Sequence, residues 1–112
     1  MSEKKVNSRE KGKRGEIELA HELERFGYAA RRGRQFCGLN GEPDVIGVPG
    51  LHIECKRVES LNVEKALQQS ERDARPHELP VVMHRKNRES WKVTMRLAEF
   101  MELLNEKTDR TV

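Results

Sequence analysis

The chain has 112 residues, a length that suits one domain with a modest hydrophobic core. Charged residues make up 37% of the sequence and hydrophobic residues 35%, with a net charge of +3. The sequence shows neither a signal peptide nor an apolar segment of membrane-spanning length, so we expect a cytoplasmic protein with reduced cysteines. The two cysteines lack C-x-x-C spacing and the four histidines are scattered, which argues against a structural zinc site.

Residues 1–8 are polar and basic without periodicity, which predicts a disordered basic arm. A helix is expected next, from Arg9 or Lys13 to Phe26, ended by Gly27. Its apolar face is expected to comprise Ile17, Leu19, Ala20, Leu23 and Phe26. Glu16 lies on the same face, where it is either a carboxylate aimed at a site or an ordinary helix-forming residue.

A short strand is predicted around residues 28–31, followed by a loop containing Gly33, Gly38 and Gly41. Two further strands then form a hairpin around the turn sequence Val-Pro-Gly at 48–50. The second strand alternates, which assigns its residues to two faces. One face carries Leu51, Ile53 and Cys55, and the other carries His52, Glu54 and Lys56.

The second half of the chain predicts a helix over 62–74, two strands near 79–85 and 91–95, and a final helix. Ser60 or Asn62 can cap the first of these helices, and Pro76 prevents its continuation. The final helix is expected to bury Leu97, Phe100, Met101 and Leu104. The result is one α/β domain over 9–105, ordered α-β-β-β-α-β-β-α around a mixed sheet, with a frayed tail at 106–112.

Acidic and basic residues meet on the predicted hairpin. Asp44 opens one strand, and Glu54 and Lys56 share a face of the other. Two converging carboxylates repel each other unless a cation lies between them, and Mg²⁺ suits one or two carboxylates with water and phosphate oxygen. Lys56 can then contact the attacking water or the phosphate, and Glu16 can provide a third carboxylate. The alternative is an ordinary salt bridge between Glu54 and Lys56 on an exposed sheet.

The segments `KGKRGE`, `EPDVIG` and `IECKR`, in this element order, resemble the motifs of the PD-(D/E)XK nuclease superfamily and its restriction-endonuclease-like core. Within it, the chain is most similar to archaeal-type Holliday junction resolvases and their phage-encoded relatives, from about Lys11 to Phe100. Those resolvases usually carry a Ser-Gly element before the metal-binding Asp. The loop `RRGRQFCGLNGEPD` has no serine, and this departure bears on junction selectivity and cleavage efficiency.

The resemblance implies a catalytic set of Glu16, Asp44, Glu54, Lys56 and Gln69, with Gln68 as the alternative to Gln69. Asp44, Glu54, Glu16 and the Cys55 carbonyl would hold Mg²⁺, or Mn²⁺ in its place. An ordinary exposed helix position is an equally good interpretation of Gln69. Contacts to DNA phosphates are expected from Lys11, Lys13, Arg14, Arg31, Arg32, Arg34 and Arg57. Each of these can also be ordinary solvated surface.

The implied function is metal-dependent hydrolysis of DNA, with four-way junctions as the leading substrate. Two matched cuts in a two-fold symmetric junction favour a homodimer. Neither a nucleotide cofactor nor a membrane partner is expected. Recombination or repair, in a bacterial, archaeal or phage-infected cell, is the expected setting. One alternative is a flap, nick or duplex nuclease of the same superfamily. A second is a basic DNA-binding module without catalytic activity.

Overall fold

The computed structural model describes residues 8–34 and 42–109 and has the predicted order of elements. The helices and strands are α1 (Ser8–Glu24), β1 (Arg31–Arg32), β2 (Val45–Ile46), β3 (Leu51–Arg57), α2 (Val63–Asp73), β4 (Leu79–Arg85), β5 (Lys92–Thr94) and α3 (Leu97–Asp109). The predicted α-β-β-β-α-β-β-α order is therefore confirmed. Most of the predicted arm, and the loop positions Gly38 and Gly41, lie outside the described residues.

The five strands form one mixed sheet in the order β1-β2-β3-β4-β5. β3 and β4 run parallel and pair along their full lengths, from Leu51 opposite Leu79 to Arg57 opposite Arg85. The crossover between them is α2, as a parallel pair requires. The other neighbours are antiparallel, including the predicted hairpin of β2 and β3. The Val48–Gly50 segment makes its turn, with Gly50 at a positive φ of 86° that a glycine adopts without strain.

Each face of the sheet is covered by one helix. α1 packs on the face that carries Val45, Ile53 and Cys55, where Leu19 and Ala20 are buried. α2 packs on the opposite face through Ala66 and Leu67 against Val82 of β4, with Leu61 beside them. Strand alternation therefore has the predicted consequence, because odd-numbered residues of β3 face α1 and even-numbered residues face α2.

The start of α2 shows which of the two predicted capping residues acts. Asn62 has extended backbone angles and its side chain accepts a hydrogen bond from the Lys65 backbone N–H at 3.0 Å. Deeper in the helix, the buried Ser70 hydroxyl donates to the His52 carbonyl oxygen at 2.9 Å. This bond ties α2 to β3, the strand that carries Glu54 and Lys56.

Two apolar positions predicted to be buried around α1 are exposed. The helix ends at Glu24, and the chain turns before Phe26, which is 70% exposed. Ile17 is 37% exposed, so the buried stripe is narrower than its periodicity indicated. The first strand is also shorter and later than predicted, covering only Arg31–Arg32. Helical spacing predicts an apolar face only as far as the helix extends. Phe26 lies beyond the end of α1 and therefore does not pack on the sheet with that face.

The prediction that the last helix buries its apolar residues is wrong. α3 extends to Asp109, and its side chains are largely exposed, with Leu97 at 75%. Phe100, Met101, Leu103 and Leu104 are also exposed, each by 41% or more. These residues have helical periodicity, but the sheet faces are already covered by α1 and α2. Within the described part of the chain, no helix is long and apolar enough to cross a membrane.

Candidate active site

The hairpin of β2 and β3 brings two carboxylates together. Val45 pairs with Ile53 in an antiparallel register, so the adjacent pair outward is Asp44 and Glu54. The Asp44 backbone N–H donates to the Ile53 carbonyl oxygen at 2.9 Å, which continues the ladder by one residue. The Asp44 Oδ2 atom accepts a hydrogen bond from the Cys55 N–H at 2.8 Å. The Asp44 side chain is therefore held against β3 rather than turned to solvent.

Glu54 is a buried carboxyl group with 5% exposure. Burial, followed by the neighbouring charge of Asp44, raises its pKa to about 7. Lys56 opposes this effect, because its Nζ atom lies 3.5 Å from Glu54 Oε2. Asp44 and Glu54 are thus two carboxyl groups in a partly desolvated site, and the single ammonium group of Lys56 compensates their repulsion only in part.

Glu16 approaches the same place from α1. It is 8% exposed and its Oε1 atom accepts a hydrogen bond from Arg32 Nε at 2.6 Å. Burial raises the pKa of Glu16, Arg32 opposes the increase, and the charge of Asp44 adds to it. The charge of Lys56 also lowers the pKa of Glu16. The structure therefore brings together Glu16, Asp44, Glu54 and Lys56. The first and last of these four residues are 40 positions apart in the sequence.

Cys55 lies between the acidic side chains. Burial, together with the charges of Asp44, Glu16 and Glu54, raises the pKa of its thiol well above the ordinary range. The thiol therefore stays protonated at neutral pH. The N–H and C=O groups of one strand residue point to the same side of the strand. Because the Cys55 N–H points at Asp44, we expect its carbonyl oxygen on this edge too, and its role as a ligand stays a prediction.

The helix α2 presents Gln69 to solvent. The role of Gln69 in the site stays a prediction. Four positions later, Asp73 is half-buried, and its charge contributes to the raised pKa of Glu54. Residues i and i+4 share a helix face, so Gln69 and Asp73 lie on the same side of α2. Sequence reasoning missed Asp73, and its spacing from Gln69 was the available signal.

The predicted DNA contacts fall into two groups. Lys11, Lys13, Arg14, Arg31 and Arg34 are exposed, as a phosphate contact requires. Arg32 and Arg57 instead have carboxylate partners. Arg57 Nε lies 3.3 Å from Glu18 Oε1, and Arg57 Nη1 lies 3.8 Å from Glu59 Oε2.

Glu18 is a second residue that sequence reasoning missed. It also pairs with Arg85 at the end of β4, so one carboxylate of α1 joins the ends of β3 and β4. A Cβ atom at Gly15, one turn earlier in α1, would lie 2.7 Å from Arg57 Cβ. The close approach at Gly15 and the Glu18 ion pairs together dock α1 on β3, and Glu16 lies between them.

Comparison with solved structures finds a similar fold. Hjc of Archaeoglobus fulgidus, a Holliday junction resolvase from a hyperthermophilic archaeon, superposes with a TM-score of 0.58 at 28% sequence identity. The match covers 76% of this chain and 72% of Hjc. The chain is similar to an archaeal Holliday junction resolvase. This finding confirms the predicted resemblance and the predicted α/β fold. No protein-family profile matches the sequence, and no curated protein matches it.

The edge of the sheet that carries Asp44 and Glu54 has hard oxygen donors, which bear on its fit to a divalent cation. Within residues 8–34 and 42–109, no three His, Cys, Asp or Glu side chains are grouped as ligands for a metal ion. The donors that are present are nevertheless hard oxygen atoms, those of Asp44, Glu54 and the Cys55 carbonyl. Mg²⁺ uses few protein carboxylates and retains several waters, so a complete protein cage is not required. A cation would also relieve the repulsion that raises the pKa of Glu54, so the residues fit the group.

Proposed function

We propose that the protein is a Mg²⁺-dependent endonuclease that hydrolyses DNA phosphodiester bonds in four-way junctions, with Mn²⁺ as an alternative metal. The observation that carries the proposal is the register of β2 and β3. It sets Asp44 opposite the buried Glu54, and Lys56 lies 3.5 Å from that carboxylate. An ordinary surface salt bridge would not need a buried carboxyl group with a pKa of about 7.

Each side chain has a role that follows from its position. Asp44 and Glu54 would hold the cation, with the Cys55 carbonyl as a further ligand and Glu16 acting directly or through water. The bound cation supplies positive charge that neutralises the developing charge on a phosphate and makes a neighbouring water more acidic. Lys56 would donate hydrogen bonds to the attacking water or to a phosphate oxygen.

The remaining residues of the site would act on the substrate. Gln69 is exposed at the side of α2 that carries Asp73, where it would orient DNA or water. The exposed side chains of Lys11, Lys13 and Arg14 on α1 would contact phosphates that flank the cut. These contacts carry no base specificity, which is consistent with selection of DNA by shape.

A homodimer is part of this proposal, because a four-way junction needs two matched cuts. α3 would supply the self-complementary surface for it. Leu97, Phe100, Met101 and Leu104 are spaced i, i+3, i+4 and i+7, so they form one exposed apolar stripe. Exposed apolar stripes of this kind mark interaction sites in soluble proteins. Recombination or repair of DNA, in a host or a phage, would be the setting of such an enzyme.

The test is cleavage of a labelled four-way junction beside a linear duplex with the same arm sequences, in Mg²⁺ and in EDTA. Glu54→Gln keeps the shape of the side chain, and Glu102→Gln makes the same change at an exposed position of α3. We expect paired cuts in the junction alone, abolished by EDTA and reduced at least about 100-fold in Glu54→Gln but not in Glu102→Gln.

Other outcomes would identify the alternatives. Equal cutting of the duplex would indicate a flap, nick or general duplex nuclease. Salt-sensitive binding without cutting in Mg²⁺ or Mn²⁺ would refute catalysis and leave a basic DNA-binding module.

A further inference from the structure

One ion pair joins the two halves of the proposed site. Arg32, which belongs to the group of expected DNA contacts, donates through Nε to Glu16 Oε1 at 2.6 Å. Glu16 is one of the three carboxylate residues proposed to hold the cation. Its side chain is 10% exposed, whereas that of Arg32 is 33% exposed. The pair therefore has a buried carboxylate end and a guanidinium end that solvent reaches.

Arg32 also lines an open cavity of about 410 Å³. The cavity is lined by Arg31, Arg32, Arg34, Glu42 and Ile46. Arg31 and Arg34 are exposed, so three arginines of one short segment outnumber the one carboxylate, Glu42, around a space that an anion can enter. Guanidinium groups bind phosphate oxygens through paired N–H donors, and the bond to Glu16 uses only the Nε atom of Arg32.

The backbone fixes Arg32 relative to the carboxylate pair. Arg32 pairs with Val45, and the Gly33 N–H donates to the Asp44 carbonyl oxygen at 2.9 Å. A Cβ atom at Gly33 would lie 2.0 Å from the Pro43 carbonyl oxygen, so the two segments are packed without space for a side chain. The strand cannot move away without breaking this contact. The Arg32 side chain, by contrast, is one-third exposed and has rotatable bonds of its own.

Arg32 and a divalent cation compete for the Glu16 carboxylate, and Glu16 and a DNA phosphate compete for the Arg32 guanidinium. The Arg32 guanidinium occupies an oxygen atom of Glu16 and repels a divalent cation placed beside that carboxylate. A DNA phosphate in the cavity competes with Glu16 for the same guanidinium. We propose that Arg32 exchanges Glu16 for a DNA phosphate when substrate binds, which releases the Glu16 carboxylate for the divalent cation. The proposal rests on the proposed nuclease function, and it makes Arg32 a positioning residue that couples substrate binding to metal binding.

Linkage requires such coupling to be reciprocal: DNA raises the affinity for metal by the same factor as metal raises the affinity for DNA. Phosphate oxygens that contact the cation directly would contribute coupling in every variant. The part that depends on Arg32 is therefore isolated by comparing variants that lose the same charge. Arg31→Gln is the matched control for Arg32→Gln, because Arg31 is the neighbouring residue of the same strand and is exposed.

The first measurement is Mn²⁺ binding to the free protein, followed by the electron paramagnetic resonance signal of unbound Mn²⁺. We expect Arg32→Gln to bind Mn²⁺ about fivefold more tightly than the wild type, and Arg31→Gln to change the affinity less than about twofold. Both variants should bind the four-way junction more weakly in EDTA. The ratio of junction affinities in Ca²⁺ and in EDTA should fall in Arg32→Gln by the same factor of about five.

A second variant tests the exchange without removing the guanidinium. Glu16→Gln removes the charge that competes with phosphate, so it should tighten junction binding in EDTA about threefold to tenfold. In the double variant Glu16→Gln, Arg32→Gln this gain should disappear, which separates the exchange from a general loss of negative charge. Thermal melting of each variant shows whether it is folded.

Unchanged or weaker Mn²⁺ binding by Arg32→Gln, or an equal gain from Glu16→Gln in the absence of Arg32, would overturn the proposal. If the wild type still cuts junctions in Mg²⁺ and binds Mn²⁺, only the exchange is refuted and the nuclease function stands. If the wild type neither binds Mn²⁺ nor cuts DNA, both fail together.

Discussion

Replacement of Glu54 by Gln is expected to stabilise the folded protein in EDTA while it removes activity. In the folded chain, burial and the charge of Asp44 raise the pKa of Glu54 from 4.5 to about 7. The ionised carboxylate is therefore less favourable in the folded state than in the unfolded state. This cost is absent below about pH 4.5 and fully present above about pH 7. A pKa difference of this size corresponds to roughly 3 kcal/mol at pH 8.

Gln is close to Glu in size and carries no charge, so it avoids that cost. The contribution of Lys56 is already contained in the raised pKa. We expect Glu54→Gln to increase the free energy of unfolding by about 1–3 kcal/mol at pH 8, and by less than about 1 kcal/mol at pH 5. Urea unfolding in EDTA at both pH values measures the difference, and Glu102→Gln on the exposed face of α3 is the control.

A gain that is equal at the two pH values would refute the electrostatic reasoning, because uncharged packing does not titrate. Destabilisation at pH 8 would refute it as well. It would show that the ion pair of Glu54 with Lys56 outweighs burial and the charge of Asp44.

Two further predictions concern the docking of α1 and the surface of α3. Gly15→Ala should lower the free energy of unfolding by about 1 kcal/mol, because its Cβ would lie 2.7 Å from Arg57 Cβ. Gly12→Ala in the same helix meets nothing within 4 Å and should raise it by about 1 kcal/mol, so equal urea midpoints for the two variants would contradict the close approach. Phe100→Glu in the apolar stripe should convert a dimer into a 13.0 kDa monomer in sedimentation equilibrium, whereas the same change at the exposed Val93 should not. A wild type that is monomeric at tens of micromolar would contradict the dimer.

Local patterns predicted most of the secondary structure correctly. The alternation from Leu51 to Lys56 predicted which residues share a face of β3, because neighbouring side chains of a strand point to opposite faces. Asn62 was one of two predicted caps, and its side chain does satisfy the Lys65 N–H. Phe26 shows the limit of the same method. Its spacing fits the stripe of α1, but the helix ends two residues before it.

The candidate site was predictable to the extent that it depends on strand geometry. The turn at 48–50 and the alternation of β3 were enough to set Asp44 near Glu54, and the pairing of Val45 with Ile53 confirms the hairpin. The roles of these residues in catalysis stay predictions. The contributions of Asp73 and Glu18 could not be derived, because they depend on how α2 and α1 are placed over the sheet.

The sequence by itself determined the order of the elements, the two faces of β3 and the hairpin that carries Asp44 and Glu54, because each depends on residues close together in the chain. Only the tertiary structure decided the partners of the charged groups and the exposure of the apolar ones. Arg32 meets Glu16 and Arg57 meets Glu18 because α1 docks against the edge and the end of the sheet. α3 keeps its apolar stripe exposed because α1 and α2 already cover the two faces. Periodicity specifies that a face is apolar, whereas the arrangement of the whole chain decides what, if anything, covers it.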